Sequence, residues 1–257
     1  MPLPAKAFQL WLLSVAPTAS TADICRISGI KRTTLAQQLV RGKVAETTLV
    51  SISRALGLSP LAALGSFANY SELAGEPQPP TASELVSQIA TLDLLRAVIE
   101  RSSLAHGGLG DGAAGEGHPG EGHAAPPALS PAPHATSVRN WVDAIDDGEL
   151  RHRVSAATGV APQNFSAQLT ANRLSPELAV ATARAAGVGF TGGLVATGLI
   201  TEEEAGWAPG AKQSALDALS DGELTALAGE RLQILGKTLR RQEHEQAQTE
   251  KIWENLG

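Results

Sequence analysis

TADICRISGIKRTTLAQQL, residues Thr21 to Leu39, carries the pattern of a short helix, a tight turn and a second helix. Two short helices that meet at a steep angle through a turn of three or four residues usually place Gly in that turn. Ser28-Gly29-Ile30 supplies it. Ile24 and the small Cys25 fall where the first helix must be apolar and close-packed, and Ile30 and Leu35 anchor the second helix in a core. Lys31, Arg32, Thr33, Ala36, Gln37 and Val40 are left facing outward. Lys and Arg at the start of an exposed helix, followed one turn later by Gln, offer the donors and acceptors that phosphates and base edges require. The helix is expected to read DNA.

Downstream, Thr34-Leu35 through Gln38-Leu39, Arg41-Gly42-Lys43, Leu49, Ile52, Arg54-Ala55-Leu56-Gly57-Leu58, Pro60 and Ala63-Leu64 extend the pattern. From Phe8 to Leu64 these residues resemble the lambda-repressor-like, or Xre-type, helix-turn-helix family, especially its actinobacterial phage and prophage regulators. The resemblance implies a compact domain of four or five helices, with the helix from Lys31 to Val40 in the major groove. The chain departs from the commonest pattern by one extra residue between Gly29 and Gly42. In the expected contact set, Lys31 or Arg32 meets a guanine edge or a phosphate and Gln37 reads an adenine. Thr33, Thr34, Arg41 and Lys43 fix register on the backbone.

The 257 residues suffice for about two domains. Aromatics are few, Ala and Leu dominate, and strand-like alternation is hard to find, so an all-α protein is expected. Cys25 is the sole cysteine. It excludes an intramolecular disulfide, suits a reducing compartment and reads as a small buried side chain. The apolar run Phe8 to Val15 falls short of the roughly 20 residues a membrane span needs, and it lacks a charged n-region. A cytoplasmic location is expected. Net charge is −6, yet Lys6, Arg26, Lys31, Arg32, Arg41, Lys43 and Arg54 face only Asp23 and Glu46 within residues 1–70. A local basic face binds phosphate under an acidic total, because distant charges are screened over about 8 to 10 Å.

Outward from the first unit, Met1 to Ala7 reads as a loose tail, and Trp11 and Leu12 are core candidates of a first helix that Pro17 ends. Glu46 to Leu56 is an amphipathic helix stopped by Gly57, and Ser59-Pro60 opens another. From Ser66 to Pro80 the pattern loosens. Thr81 or Ser83 then opens a helix with an apolar stripe at Leu85, Val86, Ile89, Leu92, Leu95, Val98 and Ile99, which must bury against something. Residues 105–136 are Gly-, Pro- and Ala-rich and are expected to form a flexible linker. His106, His118, His123 and His134 lie in it without a compact ligand set, so no metal or other cofactor is expected.

Beyond the linker the sequence repeats 130 residues later: Trp11 aligns with Trp141, Gly29 with Gly159, Gln38-Leu39 with Gln168-Leu169, Arg54-Ala55 with Arg184-Ala185, and Gly57 with Gly187. The register continues through Leu64 and Leu194, Glu72 and Glu202, Pro79 and Pro209, Leu94 and Leu224, and Glu100-Arg101 and Glu230-Arg231. An ungapped register of this length points to internal duplication. The expected architecture is a DNA-binding helix-turn-helix domain at 1–70, a trailing helical segment at 71–104, the linker at 105–136, a diverged helix-turn-helix domain at 137–210 and a C-terminal helix at 211–257.

The second copy turns at Thr158-Gly159-Val160, and Phe165 replaces Leu35. Gln163, Asn164, Ser166 and Arg173 are its candidate DNA contacts, with Arg151, His152 and Arg153 adding charge nearby. Lys31 and Arg32, however, have become Ala161 and Pro162. DNA contact and a protein-interaction or purely structural role both stand open for this copy. Ser220 and Glu223 have capping-box spacing before a helix carrying Leu224, Leu227, Leu232, Leu235 and Leu239. That helix can self-associate or pack back through its leucines. The function expected is a DNA-binding transcriptional regulator, a repressor acting by operator occupancy. The alternative is a protein-interaction module, an antitoxin or phage-associated protein, that kept the fold. No phosphate loop, nucleophile elbow or paired-carboxylate setting is present, so an enzyme is not expected.

Overall fold

The computed structural model describes residues 2–107 and 128–254, which are mostly helical. The elements in the first half are β1 (Leu3–Pro4), α1 (Ala5–Val15), α2 (Thr21–Ser28), α3 (Arg32–Val40), β2 (Lys43–Val44), α4 (Glu46–Ala55) and α5 (Pro60–Gly65). A 3-10 turn at Ala68–Ala74, α6 (Ala82–Ser87) and α7 (Thr91–Gly107) complete that half. The second half contains α8 (Ser137–Ile145), α9 (Leu150–Thr158), α10 (Pro162–Thr170), α11 (Pro176–Ala186), α12 (Gly192–Ala196), α13 (Ala211–Asp217) and α14 (Asp221–Glu254). Shifted by 130, α10 coincides with α3 end for end, and α9 and α11 differ from α2 and α4 by one residue at one end.

Local chemistry sets these boundaries. Ser20 caps α2 by accepting the Asp23 amide at 3.2 Å, and Ser59 caps α5 by accepting from Ala62 at 3.2 Å. Thr81 and Glu84 form a capping box at the start of α6, and Ser220 and Glu223 make the same reciprocal bonds at α14. The helix expected from Thr81 through Ile99 is two helices, because the chain leaves helical geometry at Gln88, whose side chain is fully buried. Its expected apolar stripe is correspondingly split: Ile89 is buried, Leu85, Val86, Leu95 and Val98 are half-buried, and Leu92 and Ile99 are exposed.

The N-terminal residues are not a loose tail. Leu3 is fully buried and pairs antiparallel with Val44, and the Ala5 amide donates to the Gly42 carbonyl at 3.0 Å. Two residues of strand are too short to announce themselves by alternation. In α1 it is Phe8 that is fully buried; Trp11 and Leu12 are half-buried against the core, with the Trp11 ring 5.8 Å from Phe8 and 6.5 Å from Phe67.

The compact units do not follow the five consecutive segments expected from the sequence. One comprises residues 1–88 and 131–211, the other residues 89–130 and 212–257. In the first, both copies contribute to one hydrophobic cluster that includes Ile24, Leu35, Leu49 and Leu64 from one and Trp141, Val154, Phe165 and Leu194 from the other. Shared burial gives the physical reason: small domains bury a smaller share of their surface, and here α6 of the first half packs on α8 of the second. The Trp141 indole donates to the buried Glu84 carboxylate at 3.0 Å. Gly192 and Gly193 make room for that ring, since a Cβ on Gly193 would lie 2.6 Å from Trp141 Cη2.

Arg54 of the first copy pairs with Glu204 of the second at 2.6 Å, and Arg184 reciprocates with Glu72. The two arginines are equivalent in the 130-residue register, whereas the carboxylates are two positions apart in it, since Glu72 matches Glu202 and not Glu204. Arg184 and Arg54 hold Glu72 and Glu204 below their usual value of 4.5. A depressed carboxylate contributes stability that is complete above its unfolded value and fades as pH falls through its folded one. Partial exposure keeps the contribution small. In urea unfolding below pH 4.5, the midpoint of the wild type is therefore expected to fall more steeply than that of an Arg54→Gln, Arg184→Gln chain; equal slopes contradict this.

In the second unit, α7 packs on α14 around Ile89, Leu94, Leu216, Leu224 and Ala228. Arg101 donates to the carbonyls of Leu219 and Leu216 at 2.6 and 2.8 Å. Of the expected linker, residues 108–127 lie outside the described residues, and so do the side chains of His106, His118 and His123. The remainder is not loose. The Ser130 amide donates to Asp93, the Ser130 carbonyl accepts from Lys212, and the Ala132 amide donates to Glu202. His134 Nε2 lies 3.2 Å from the Ser87 carbonyl. Composition alone cannot reveal such backbone bonds to distant side chains.

Candidate nucleic-acid interface

Gly29, at φ 70°, ends α2 in the left-handed conformation that glycine adopts without steric cost. The chain reverses there, and α3 starts after Lys31. Ile24, Cys25 and Leu35 are buried and fix α3 against the core, while Ile30 is half-buried. Lys31, Arg32, Thr33, Thr34, Ala36, Gln37 and Val40 are all exposed, Val40 to 89%. The end of α3 is held by Gln38, whose Oε1 accepts the Ala45 amide at 3.3 Å.

Arg41 and Lys43 lie just beyond, both exposed, on a loop that the β1–β2 pairing fixes in place. Lys31, Arg32, Arg41 and Lys43 make no ion pair or side-chain hydrogen bond among the described residues; Arg26, by contrast, is tied to Asp23 at 2.9 Å. An exposed cation without an internal carboxylate keeps its full charge for a phosphate.

The second copy has the same frame and a different balance of charge. Gly159, at φ 71°, ends α9, and Pro162 occupies the first turn of α10, where its missing amide costs nothing. Phe165 and Leu169 are buried, Gln163, Asn164 and Arg173 are exposed, and Ser166 is half-buried. The charge expected from Arg151 and Arg153 is already taken up. Arg151 lies 3.4 Å from both Asp143 and Asp146, and Arg153 lies 2.9 Å from Asp147, whose carboxyl it holds below the usual range. Asp146 also accepts the Gly148 amide at 2.9 Å and the Leu150 amide at 3.3 Å, just before and at the first residue of α9. Arg173 is the one cation of the four candidate residues, and no ion pair engages it among the described residues.

The structure thus brings Lys31, Arg32, Thr33, Thr34, Gln37, Arg41 and Lys43 to one helix and its adjoining loop, and Gln163, Asn164, Ser166 and Arg173 to the matching helix and loop of the second copy. Sequence reasoning missed the pairing of Arg151 and Arg153. Asp143, Asp146 and Asp147 lie just upstream in the sequence, but only the fold brings them against those arginines. Among the described residues no cluster of metal-ligating side chains occurs, and no helix is long and apolar enough to cross a membrane. Comparison with protein-family models, with curated proteins and with solved structures finds no match.

Proposed function

We propose that this chain is a sequence-specific, double-stranded-DNA-binding transcriptional regulator, a repressor of the phage or prophage immunity kind that acts by occupying an operator. It would be built from two helix-turn-helix units related by internal duplication. The observation that carries the reading is the set of uncompensated cations Lys31, Arg32, Arg41 and Lys43 around the exposed face of α3, with Gln37 among them. Lys31 or Arg32 would meet a guanine edge or a phosphate, Gln37 an adenine, and Thr33, Thr34, Arg41 and Lys43 the backbone. Gln163, Asn164, Ser166 and Arg173 would add hydrogen bonds from α10 with little phosphate attraction. Because both copies share one hydrophobic cluster, two reading helices would address half-sites at a fixed spacing rather than the variable spacing of a flexible tether.

Salt dependence tests the electrostatic part. On a duplex recovered by selection, the slope of log affinity against log salt is expected to flatten by about 1 to 2 in a Lys31→Ala, Arg32→Ala chain, about one for each of the two that meets a phosphate. Fluorescence anisotropy across a salt series measures it, and an unchanged slope rules those side chains out as phosphate contacts.

The exposed Leu232, Leu235 and Leu239 of α14 provide a surface for self-association of the regulator. The protein-interaction reading draws its support from the second copy, whose Arg151 and Arg153 are committed to its own carboxylates. An antitoxin or other phage-associated module would need no phosphate contacts there.

A further inference from the structure

The two copies treat one equivalent surface in opposite ways. On α8, residues Ser137, Asn140 and Trp141 are buried, and α6 packs on that helix. Gln88 Nε2 donates to the Ser137 carbonyl at 3.2 Å and Glu84 Oε1 accepts from the Trp141 indole at 3.0 Å. The matching positions on α1 are Ala7, Leu10 and Trp11, and Ser14 extends the row at the i, i+3, i+4, i+7 spacing that a docking helix engages.

Here the burial is inverted relative to polarity. Asn140 is 3% exposed, whereas its counterpart Leu10 is 62% exposed, and Leu13 beside it is 61% exposed. The Trp11 indole N–H has no acceptor among the described residues. Ala62 and Ala63 stand where Gly192 and Gly193 admit Trp141, and Trp11 and Ala7 are only half-buried against the core, with part of each left at the surface. Lys6 borders the row, exposed and without an ion pair among the described residues. The face therefore combines apolar anchors, an unmatched indole donor and a cation. Charge complementarity selects an acidic occupant, and α6 on α8 shows its form: a short helix with a Glu at its start aimed at the indole.

We propose that the face of α1 formed by Ala7, Leu10, Trp11 and Ser14, with Lys6 and Leu13 at its border, docks a short amphipathic helix of a partner protein that presents a carboxylate to Trp11 and Lys6. This surface is independent of the DNA-reading proposal.

The probe is a peptide of residues 79–90, PPTASELVSQIA, which contains α6. It is titrated into the full chain carrying 15N-labelled tryptophan, with the Trp11 indole signal assigned through Trp11→Phe. The Trp11 signal is expected to shift saturably. A Leu10→Asp, Leu13→Asp chain should bind at least tenfold more weakly while its Trp141 signal stays in place, which shows that the fold is kept. A Glu84→Gln peptide should bind several-fold more weakly than the parent. Absence of a Trp11 shift at millimolar peptide overturns the proposal. So does a shift confined to Trp141, which would mean displacement of the chain's own α6, or a shift undiminished by Leu10→Asp, Leu13→Asp. If sedimentation of the peptide-free chain reveals a dimer that Leu10→Asp abolishes, the occupant is a second copy and the partner-helix assignment fails.

Discussion

Trp141→Ala is expected to lower the unfolding free energy by about 3–5 kcal/mol, the range for deleting a large buried aromatic. Trp141 is fully buried, its indole is bonded to Glu84, and its ring lies against two glycines that nothing else can fill. The substitution therefore opens a cavity, and it leaves Glu84 Oε1 without its indole donor on a residue only 1% exposed, while Oε2 keeps its bonds to Thr81. An unpaired buried acceptor adds its own desolvation cost. The substitution also removes the side chain that ties α8 to Glu84 of α6, so its effect should not be confined to residues 137–210. Trp11→Ala is the internal control. Trp11 is half-buried with no bonded acceptor, and its loss should cost clearly less. Urea unfolding of both variants, followed by far-ultraviolet circular dichroism, measures the difference. Equal costs would contradict the shared-core description.

Arg32→Ala carries the second large effect. On the proposed DNA-reading function it weakens specific binding by about 1–3 kcal/mol, roughly five- to more than a hundredfold in affinity, with stability almost unchanged. Arg32 is exposed at the first position of α3 and makes no internal ion pair or hydrogen bond among the described residues, so nothing in the fold depends on it. The same reasoning predicts a smaller effect for a cation already neutralised within the protein. Arg153 must give up Asp147 before it meets a phosphate, and that exchange returns little net energy. Anisotropy titrations on one duplex at one salt concentration, with thermal unfolding beside them, separate lost contact from lost fold.

Much of the helical frame was legible in the sequence because local rules set it. Gly29 and Gly159 mark the turns through their left-handed backbone, Thr81 with Glu84 and Ser220 with Glu223 announce helix starts, and the 130-residue register places equivalent helices correctly. The burial of Leu35 and Phe165 follows from their spacing. What could not be read was long-range. Burial of Leu3 depends on a partner strand about forty residues away, and the break falls at Gln88, a buried residue bonded to the distant Ser137 carbonyl, with no proline or glycine to mark it. The reciprocal pairs Arg54–Glu204 and Arg184–Glu72 illustrate the limit well. Arg54, Arg184 and Glu72 all stood in the repeat, but a repeat says that residues are equivalent, not that they face each other. Likewise the outward face of α3 was legible from periodicity, while the neutralisation of Arg151 and Arg153 required the fold.

Selection of binding sites from random duplex DNA with the full chain tests the central claim most directly, with the Lys31→Ala, Arg32→Ala chain selected in parallel. The account predicts an enriched motif in the wild type that the double variant fails to enrich; if both half-sites are read, their spacing is constant. No enriched motif from a folded wild-type chain, or the same motif from both chains, would contradict it.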